Sequence, residues 1–465
     1  MKNTSALLIL GMAAACGSAA AQRPNIVLVL ADDWGFPNAA AYGDKAARMP
    51  NFERVVSQGM LFTQAYCSAP SSSPSRAAIL TGNYPHALGE AANLWARFPA
   101  DLQVYPSLLE QQGYVIGLEG KGWAPGEFKT GHWPHNPAGW EHDDLAKYID
   151  EVPADKPICF WFGSHYPHRP YDDGIGAANG FDPAAIEVSP NMPDAAAVRG
   201  DLADYYYYCY LYDKRAGEIL QALERNGRLK NTIFVMTGDN GYPFPRAKAN
   251  LYDEGSHIPL AIMWPGVIGK PSVYTGFVNL LDLAPTFCEA AGVKPLKPMQ
   301  GRSLVAVLQG KEKASARPAI YLERERHANV RAGNVGYPSR AVKTSDFIYI
   351  RNLRPDRWPA GDPKYQSSLA PFGDCDNGPA KKFMVENKAA YPELFDRAFG
   401  KRPAEELYDL HNDPAQQHNL ATDPAFGATL QKLRAMVDKW MKETGDPRVD
   451  PSCDIFDTYY YVGNI

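Results

Sequence analysis

Short apolar runs that stop abruptly at polar residues mark the first half of the chain. The clearest runs are residues 25–30, 158–162 and 232–236, and residues 260–263 form a shorter one. Continuous apolar runs of this length are typical of strands that are buried on both faces, as in parallel sheets. The pattern therefore predicts a sheet that is covered by helices on both sides.

Helical patterns alternate with these runs, which predicts an α/β fold. We expect helices at residues 49–59, 106–112, 201–227 and 426–444. The third of these carries a run of tyrosines, and an aromatic stripe at helical spacing is most simply explained by core packing.

The pattern changes after about residue 333, where a smaller α+β domain is expected. Residues 339–343 and 347–351 predict paired short strands, whereas residues 355–379 are rich in Pro, Gly and Asp and should be irregular. Residues 319–323 are expected to form a late strand of the main sheet. The predicted main domain therefore spans residues 22–332, and the smaller one spans residues 333–465.

Polar side chains stand where the predicted strands end. Asp32 and Asp33 follow the first run, His165 follows the second, and Asp239 and Asn240 follow the third. Ligand sites of α/β folds lie beyond the carboxyl ends of the strands. Adjacent carboxylates repel each other unless a cation neutralises them, so a buried metal site is favoured over a surface turn. The two aspartates after the first run, together with Asp239 and Asn240, supply only oxygen ligands. Such a set suits a hard cation such as calcium.

The stretch at residues 71–83 carries the most specific motif of the chain. Ser72 is followed by Pro74, Ser75 and Arg76, and an apolar helix pattern then ends at Gly82. Proline fits the first turn of a helix, and the N–H groups at that end favour an anion. The simpler alternative is a Ser-rich loop that only caps a helix.

This stretch resembles the signature of the sulfatase family, in which Cys or Ser is followed by x-Pro-Ser-Arg and a helix that ends in Thr-Gly. The resemblance covers nearly the whole mature chain and implies an alkaline-phosphatase-like α/β sandwich with a smaller C-terminal α+β domain. It also implies that Ser72 is oxidised to formylglycine by a maturation enzyme. The hydrate of formylglycine would then be the nucleophile that attacks sulfur.

The resemblance assigns roles to further residues. Calcium would be held by Asp32, Asp33, Asp239, Asn240 and the modified residue 72. The sulfuryl oxygens would be stabilised by Arg76, Lys121 and Lys248, and His165 would protonate the leaving group. Trp123 stands where the family has a histidine that assists sulfate release, so that role is expected to pass to His86 or to His165.

The substrate is expected to be a sulfated saccharide. The Pro-Phe-Pro turn at residues 243–245 resembles the heparan N-sulfatase (sulfamidase) branch of the family, which implies N-sulfoglucosamine of heparin or heparan sulfate. Lys248 stands where that branch has arginine, so an O-sulfated glycan stays open. The predicted sugar contacts are Arg326, His327 and Arg340, which could equally be surface charges.

Two other classes stay open at this stage. One is a phosphodiesterase or phosphatase of the same fold with Ser72 as an ordinary nucleophile, although such enzymes usually need zinc and several histidine ligands. The other is a non-catalytic glycan-binding protein in which Ser72 is unmodified.

Composition and the N-terminus add the setting. The chain has 465 residues and a net charge of −5, so no basic surface indicates nucleic acid or an acidic membrane. Residues 1–21 read as a secretory signal peptide, which predicts an exported, periplasmic protein without a stable membrane span. A lipoprotein anchored at Cys16 is the alternative. Cys375 with Cys453 is the one cysteine pair to test as a disulfide, and both the disulfide pairing and the oligomeric state are open.

Overall fold

The computed structural model describes residues 23–365 and 367–463, so the predicted signal peptide and Cys16 lie outside the described residues. In chain order its strands are β1 (Asn25–Ala31), β2 (Met60–Phe62), β3 (Ala65–Tyr66), β4 (Ala96–Arg97), β5 (Val115–Gly120), β6 (Gly126–Glu127), β7 (Ile158–Gly163), β8 (Thr232–Gly238), β9 (Leu260–Met263), β10 (Ser272–Tyr274), β11 (Val278–Asn279), β12 (Ala319–Arg324), β13 (Ser339–Thr344), β14 (Phe347–Asn352) and β15 (Glu405–Asp409). Its α-helices are α1 (Pro50–Gln58), α2 (Ser72–Thr81), α3 (Tyr105–Glu110), α4 (Leu145–Glu151), α5 (Ile175–Ala178), α6 (Ala196–Arg225), α7 (Asp253–Ser256), α8 (Leu283–Ala290), α9 (Val305–Leu308), α10 (Pro379–Glu386), α11 (Pro392–Phe399), α12 (Gly427–Thr444) and α13 (Ile455–Thr458).

The main sheet has the strand order β10-β2-β9-β8-β1-β7-β5. Strands β8, β1, β7 and β5 are neighbours and run parallel, whereas β9 runs antiparallel to both β8 and β2. Strands β1, β7 and β8 coincide with the apolar runs at residues 25–30, 158–162 and 232–236. Their carboxyl ends are level, since Leu30 pairs with Gly163, Ala31 with Gly238, and Gly120 with Gly163.

Helices cover both faces of this sheet, as the apolar pattern predicts. Along β1, Val27 and Val29 pack into a core with α1 and α6, whereas Ile26 and Leu28 pack into the opposite core with α2, α3 and α8. The alternation follows from the pleat of a strand, which sends successive side chains to opposite faces. The tyrosine run on α6 contributes to the first core, which confirms the packing interpretation.

The second sheet is antiparallel, with the order β12-β13-β14-β15. Helix α12 packs on one face through Leu433 and Trp440, and the other face packs on Leu251 and Phe277 of the main domain. The prediction that residues 319–323 belong to the main sheet is wrong, because β12 pairs with β13 along its whole length. The second sheet therefore begins before residue 333.

The described cysteines include the candidate disulfide pair. Cys375 is buried and Cys453 is partly exposed, and both are free thiols in the described part of the chain, so this candidate pair is not bonded. No helix in residues 23–365 and 367–463 is long and apolar enough to cross a membrane. The stretch from residue 355 to α10 is irregular where it is described, as its composition predicts.

Candidate active site

The candidate site lies at the level carboxyl ends of the four parallel strands. Each strand ends one or two residues before a polar side chain, so the order of the strands arranges the site. From β8 to β5 these residues are Asp239 and Asn240, then Asp32 and Asp33, then His165, then Lys121. Residues that are far apart in sequence meet here because neighbouring parallel strands end at the same edge.

Three buried carboxylates face one another at this edge. One oxygen each of Asp32, Asp33 and Asp239 lies within 4.8 Å of the others. Asp33 has a φ of 73°, and its backbone N–H donates to Asp239 Oδ1 at 3.0 Å. A non-glycine residue in the left-handed region is uncommon, and such conformations concentrate at functional sites.

Asn240 completes this set of oxygens. Its Nδ2 donates to Asp33 Oδ1 at 2.8 Å, whereas its buried Oδ1 has no hydrogen-bond partner within the described residues. A buried acceptor without a donor is costly unless a cation or water satisfies it. Three carboxylates and a free amide oxygen therefore fit a hard divalent cation.

Positive side chains surround the carboxylates. Lys121 Nζ donates to Asp32 Oδ2 at 2.6 Å, and Lys248 Nζ donates to Asp33 Oδ2 at 2.8 Å. Arg76 is fully buried and its Nε donates to Asp239 Oδ2 at 2.8 Å. The resemblance implies that these three positively charged side chains share one site, and the structure brings them together at the strand ends.

Ser72 is the first residue of α2. Its Oγ donates to Asp32 Oδ1 at 2.9 Å. The rest of α2 is buried, which fixes the start of the helix against the strand ends. Ser75 Oγ donates to the carbonyl of Asp239 at 2.5 Å, so the x-Pro-Ser-Arg residues fasten the helix to β8 as well as presenting Ser72.

The electrostatics follow from burial and these pairs. Burial alone would raise the pKa of Asp32, but Lys121, His168 and Arg76 hold it well below its ordinary value. Burial raises the pKa of Asp239 to about 6 against the opposing effect of Arg76. Burial would lower the pKa of Lys248, but Asp33 and Asp376 raise it above its ordinary value. A bound cation would offset the cost of burying these carboxylates.

A cavity of about 560 Å³ opens onto Ser72 and both lysines. His165 lines this cavity and is exposed, and partial burial lowers its pKa. Three further acidic or basic residues that the sequence did not predict as site residues also line it, namely His168, Arg169 and Asp376. Asp376 Oδ2 accepts from Lys248 Nζ at 3.0 Å, yet it belongs to the irregular stretch, where no periodic pattern marks it.

The three predicted sugar contacts separate in the structure. His327 lines the cavity, with Nδ1 2.8 Å from Ser71 Oγ, and burial lowers its pKa to about 4. Arg340 is fully buried and pairs with Asp446 at 2.5 Å and with Glu325 at 2.8 Å. The expectation for Arg340 is therefore wrong, because its donors are used inside the second domain and it does not line the cavity.

Arg326 is also buried and does not line the cavity. Its guanidinium donates to the carbonyls of Tyr459 at 2.8 Å and Tyr460 at 3.1 Å. The expectation of a direct sugar contact is therefore wrong for Arg326. The Arg326 guanidinium, which the sequence suggests as a substrate contact, instead binds the C-terminal segment of the chain.

Neither Trp123 nor His86 reaches the cavity. Trp123 is buried beside Phe98, and its Nε1 donates to the carbonyl of Ser73 at 3.1 Å. His86 is buried against Glu323 and its Nε2 lies 3.0 Å from Thr444 Oγ1. The expectation that His86 acts as a base is therefore wrong, and His165 is the histidine of that pair that lines the cavity.

Known proteins are similar to this chain over most of its length. The sulfatase family model matches residues 24–293, and a model described as N-sulphoglucosamine sulphohydrolase, C-terminal, matches residues 244–364. The human N-sulphoglucosamine sulphohydrolase is 30% identical over an aligned length of 496 residues. The alignment covers 95% of this chain and 93% of that protein.

Other relatives carry other names. An ulvan-active sulfatase of Formosa agariphila is 28% identical over 442 residues, which cover 92% of this chain and 82% of that protein. An N-acetylglucosamine-6-O-sulfatase of Bacteroides thetaiotaomicron is 26% identical, covering 83% of this chain and 90% of that protein.

Solved structures share the fold. A protein in complex with its substrate D-glucosamine-2-N,6-O-disulfate aligns with a TM-score of 0.68 at 20% identity, over 92% of this chain and 99% of that chain. The phosphonate monoester hydrolase of Agrobacterium radiobacter aligns with a TM-score of 0.69 at 16% identity, over 91% and 96%. From the extent of the family match and the identity to the human relative, the chain belongs to the sulfatase family, whose members are sulfate ester hydrolases.

Proposed function

We propose that the protein removes the sulfate group of N-sulfoglucosamine in heparin or heparan sulfate, using formylglycine at position 72 and calcium. The observation that carries the proposal is the position of Ser72. Its Oγ contacts a carboxylate of the candidate metal site, and it shares a cavity with Lys121 and Lys248. A nucleophile, a cation site and two ammonium groups around one cavity suit the transfer of an anionic group.

Calcium is proposed from the donor set. Asp32, Asp33, Asp239 and Asn240 supply only oxygens, and the free Oδ1 of Asn240 supports a metal more directly than the carboxylates do. When bound, the ion would supply positive charge that stabilises the sulfuryl oxygens. One histidine borders this set, since His168 Nε2 lies 3.9 Å from Asp33 Oδ2, whereas the zinc enzymes of the same fold usually use several histidine ligands.

Formylglycine is proposed because a serine alone cannot complete the reaction. Its hydrate would supply a nucleophilic hydroxyl together with a second hydroxyl that permits release of sulfate. Ser72 is followed by the x-Pro-Ser-Arg residues that a maturation enzyme would read. We propose that this happens in an exported protein, since residues 1–21 have the pattern of a signal peptide.

Other residues of this chain would bind the sulfuryl group, fix the floor of the site and donate a proton. Lys121 and Lys248 reach the cavity with ammonium groups that can bind two oxygens of the sulfuryl group. Arg76 is fully buried against Asp239, so it fixes the floor of the site. His165 is exposed in the cavity and is placed to donate a proton to the departing nitrogen or oxygen.

The choice of N-sulfoglucosamine rests on the C-terminal match over residues 244–364 and on the human relative. Both agree with the Pro-Phe-Pro turn at residues 243–245. An O-sulfatase is the second candidate, and Lys248 favours it, because the N-sulfatase branch has arginine at this position. The relative named N-acetylglucosamine-6-O-sulfatase has the same implication.

A direct comparison of substrates tests the proposal. The full chain is co-expressed with a formylglycine-generating enzyme and supplied with glucosamine that carries sulfate only on nitrogen or only on O6. We expect inorganic sulfate from the N-sulfated sugar at a kcat/KM at least about tenfold higher, which is a difference of about 1.4 kcal/mol. Preference for the O6 ester would support the second candidate, and hydrolysis of phosphonate esters alone would contradict both.

A further inference from the structure

Exposed aromatic side chains gather beside the cavity. Within the described residues, the large apolar side chains that are exposed are Trp95, Trp140, Tyr166, Val273, Leu296, Val449, Ile455 and Tyr460. Trp95 and Tyr166 line the cavity at 36% and 41% exposure, and Tyr460 belongs to the C-terminal segment that packs beside Trp95. An exposed aromatic cluster at one place on a protein surface usually indicates a binding site.

The C-terminal segment, residues 459–463, holds Trp95 in place. The N–H of Val462 donates to the carbonyl of Trp95 at 2.8 Å, and the Tyr461 ring lies 6.4 Å from the indole. Gly463 packs so closely that a Cβ there would be 2.9 Å from Trp95 Cδ2. The segment therefore braces the indole, while the remaining exposed surface of Trp95 borders the cavity.

Arg326 joins this segment to the chain around Trp95. Its backbone N–H donates to Asn93 Oδ1 at 3.1 Å, and its carbonyl accepts from the N–H of Leu94 at 3.0 Å. Its guanidinium donates to the carbonyls of Tyr459 and Tyr460. One fully buried residue thus fixes both partners, while its own Nε has no acceptor among residues 23–365 and 367–463.

We propose that Trp95, Tyr166 and the C-terminal segment form the saccharide subsite of the enzyme, on which a pyranose ring of the substrate stacks. This inference rests on the proposed function and adds the part of the protein that recognises the sugar. Arg326 is a positioning residue, since it acts through Trp95 and the C-terminal segment. The occupant follows from continuity, because the same cavity contains Ser72 and both lysines that would bind the sulfate.

The chemistry of a pyranose fits these walls. The C–H groups of one sugar face can pack on an indole or phenol ring, and the hydroxyl groups at the ring edge remain free to hydrogen bond. The cavity of about 560 Å³ lies within the range of roughly 300–1,000 Å³ that is usual for small-ligand sites. Arg97 lies 4.9 Å from the centre of the Tyr460 ring and adds positive charge for a further anionic group of a glycan.

Binding to the protein with unmodified Ser72 tests the subsite without turnover. Calorimetry would compare the wild type, Trp95→Ala and Trp140→Ala with a heparin-derived disaccharide and with inorganic sulfate as probes. Trp140 is the matched control, because it is 46% exposed but does not line the cavity. We expect Trp95→Ala to raise the Kd for the disaccharide about tenfold, as for loss of an aromatic contact. The Kd for sulfate should stay unchanged, and Trp140→Ala should match the wild type for both probes.

Equal disaccharide affinity of Trp95→Ala and the wild type would overturn the subsite, and so would an equal loss for both probes. Either result leaves the proposed function intact if the matured enzyme still desulfates the sugar. Conversely, a matured wild type that binds the disaccharide through Trp95 but releases no sulfate would refute the proposed function alone.

A second variant tests the positioning role. Arg326→Gln should weaken disaccharide binding by a similar factor and raise KM for the sugar while kcat is retained, because the C-terminal segment loses its donors. Unchanged KM in a folded Arg326→Gln protein would show that the segment does not need this residue. Trp95→Phe should restore most of the affinity that Trp95→Ala loses, since it keeps an aromatic face.

Discussion

The floor and the rim of the cavity are built in opposite ways. The floor consists of the residues at the strand ends together with Ser72, Arg76 and Lys248 on the following segments. The rim consists of Trp95, Tyr166, Asp376 and the C-terminal segment, residues 459–463. Each floor residue follows an apolar strand or belongs to a sequence motif. Apart from Tyr166, which directly follows His165, the rim residues come from loops whose position depends on the whole fold.

This difference teaches which part of a site a sequence can reveal. A buried strand locates the residue that follows it, so the floor is readable one segment at a time. A rim residue is defined by what lies across the cavity from it. Asp376 has no local signal, and it is recognised as part of the site from its contact with Lys248, which donates to it at 3.0 Å.

The largest effect should follow from removing a floor carboxylate. Asp239→Ala removes one oxygen of the proposed metal set and the partner of buried Arg76, so we expect turnover to fall by about a thousandfold or more together with loss of bound metal. Metal content by mass spectrometry and desulfation rate would be measured on the same sample. A folded Asp239→Ala protein that keeps stoichiometric calcium would break the description of the floor.

A smaller loss is expected for a cation of the floor. Lys121→Ala removes one ammonium group that faces the cavity, and losing one such charge typically costs about a hundredfold in kcat. Lys343→Ala is the matched control, because Lys343 is a lysine that also forms an ion pair, with Asp253 at 2.8 Å, but it does not line the cavity. Equal losses in both variants would indicate a general effect of unpaired acids instead.

The rim acid should matter less. Asp376→Ala leaves Lys248 paired with Asp33 and removes only its second partner, so we expect kcat/KM to fall about tenfold, as for a single charged hydrogen bond. Steady-state kinetics with saccharide and inhibition by inorganic sulfate would be measured together. A loss of activity as large as that of Asp239→Ala would place Asp376 in the floor. It would then contradict the distinction between floor and rim.

The smallest effect on catalysis is expected for Arg340. Arg340→Met removes a fully buried guanidinium from Glu325 and Asp446, and breaking a buried pair destabilises a protein by about 3–5 kcal/mol. Denaturant unfolding should show this loss, while kcat/KM of the folded fraction stays within about twofold of the wild type. A selective rise in KM without loss of stability would return Arg340 to the substrate contacts.

The fold, like the site, could be predicted from the sequence only in part. Apolar runs located β1, β7 and β8, because strands buried on both faces need continuous apolar residues. Residues 319–323 were correctly expected as a strand but assigned to the wrong sheet. Strand pairing depends on contacts across the chain, and β12 carries no mark that distinguishes pairing with β13 from pairing within the main sheet.

Charged residues gave the same lesson for the site. Arg326 and Arg340 carry the positive charge that is expected of contacts with a sulfated substrate. A guanidinium can, however, donate equally well to buried carbonyls and carboxylates of the protein. His86 also differs from expectation, since a histidine buried against Glu323 is a structural arrangement that only the packed chain reveals.

The measurement that bears most directly on the floor is the mass of the peptide that contains residue 72. The protein would be purified from its native host in active form, digested, and assayed for desulfation in parallel. We expect the mass of the serine peptide less two hydrogen atoms, which is the change from hydroxymethyl to aldehyde, in a fraction that rises with specific activity. Full sulfatase activity from protein whose peptide retains the unmodified serine mass would contradict the proposed role of Ser72.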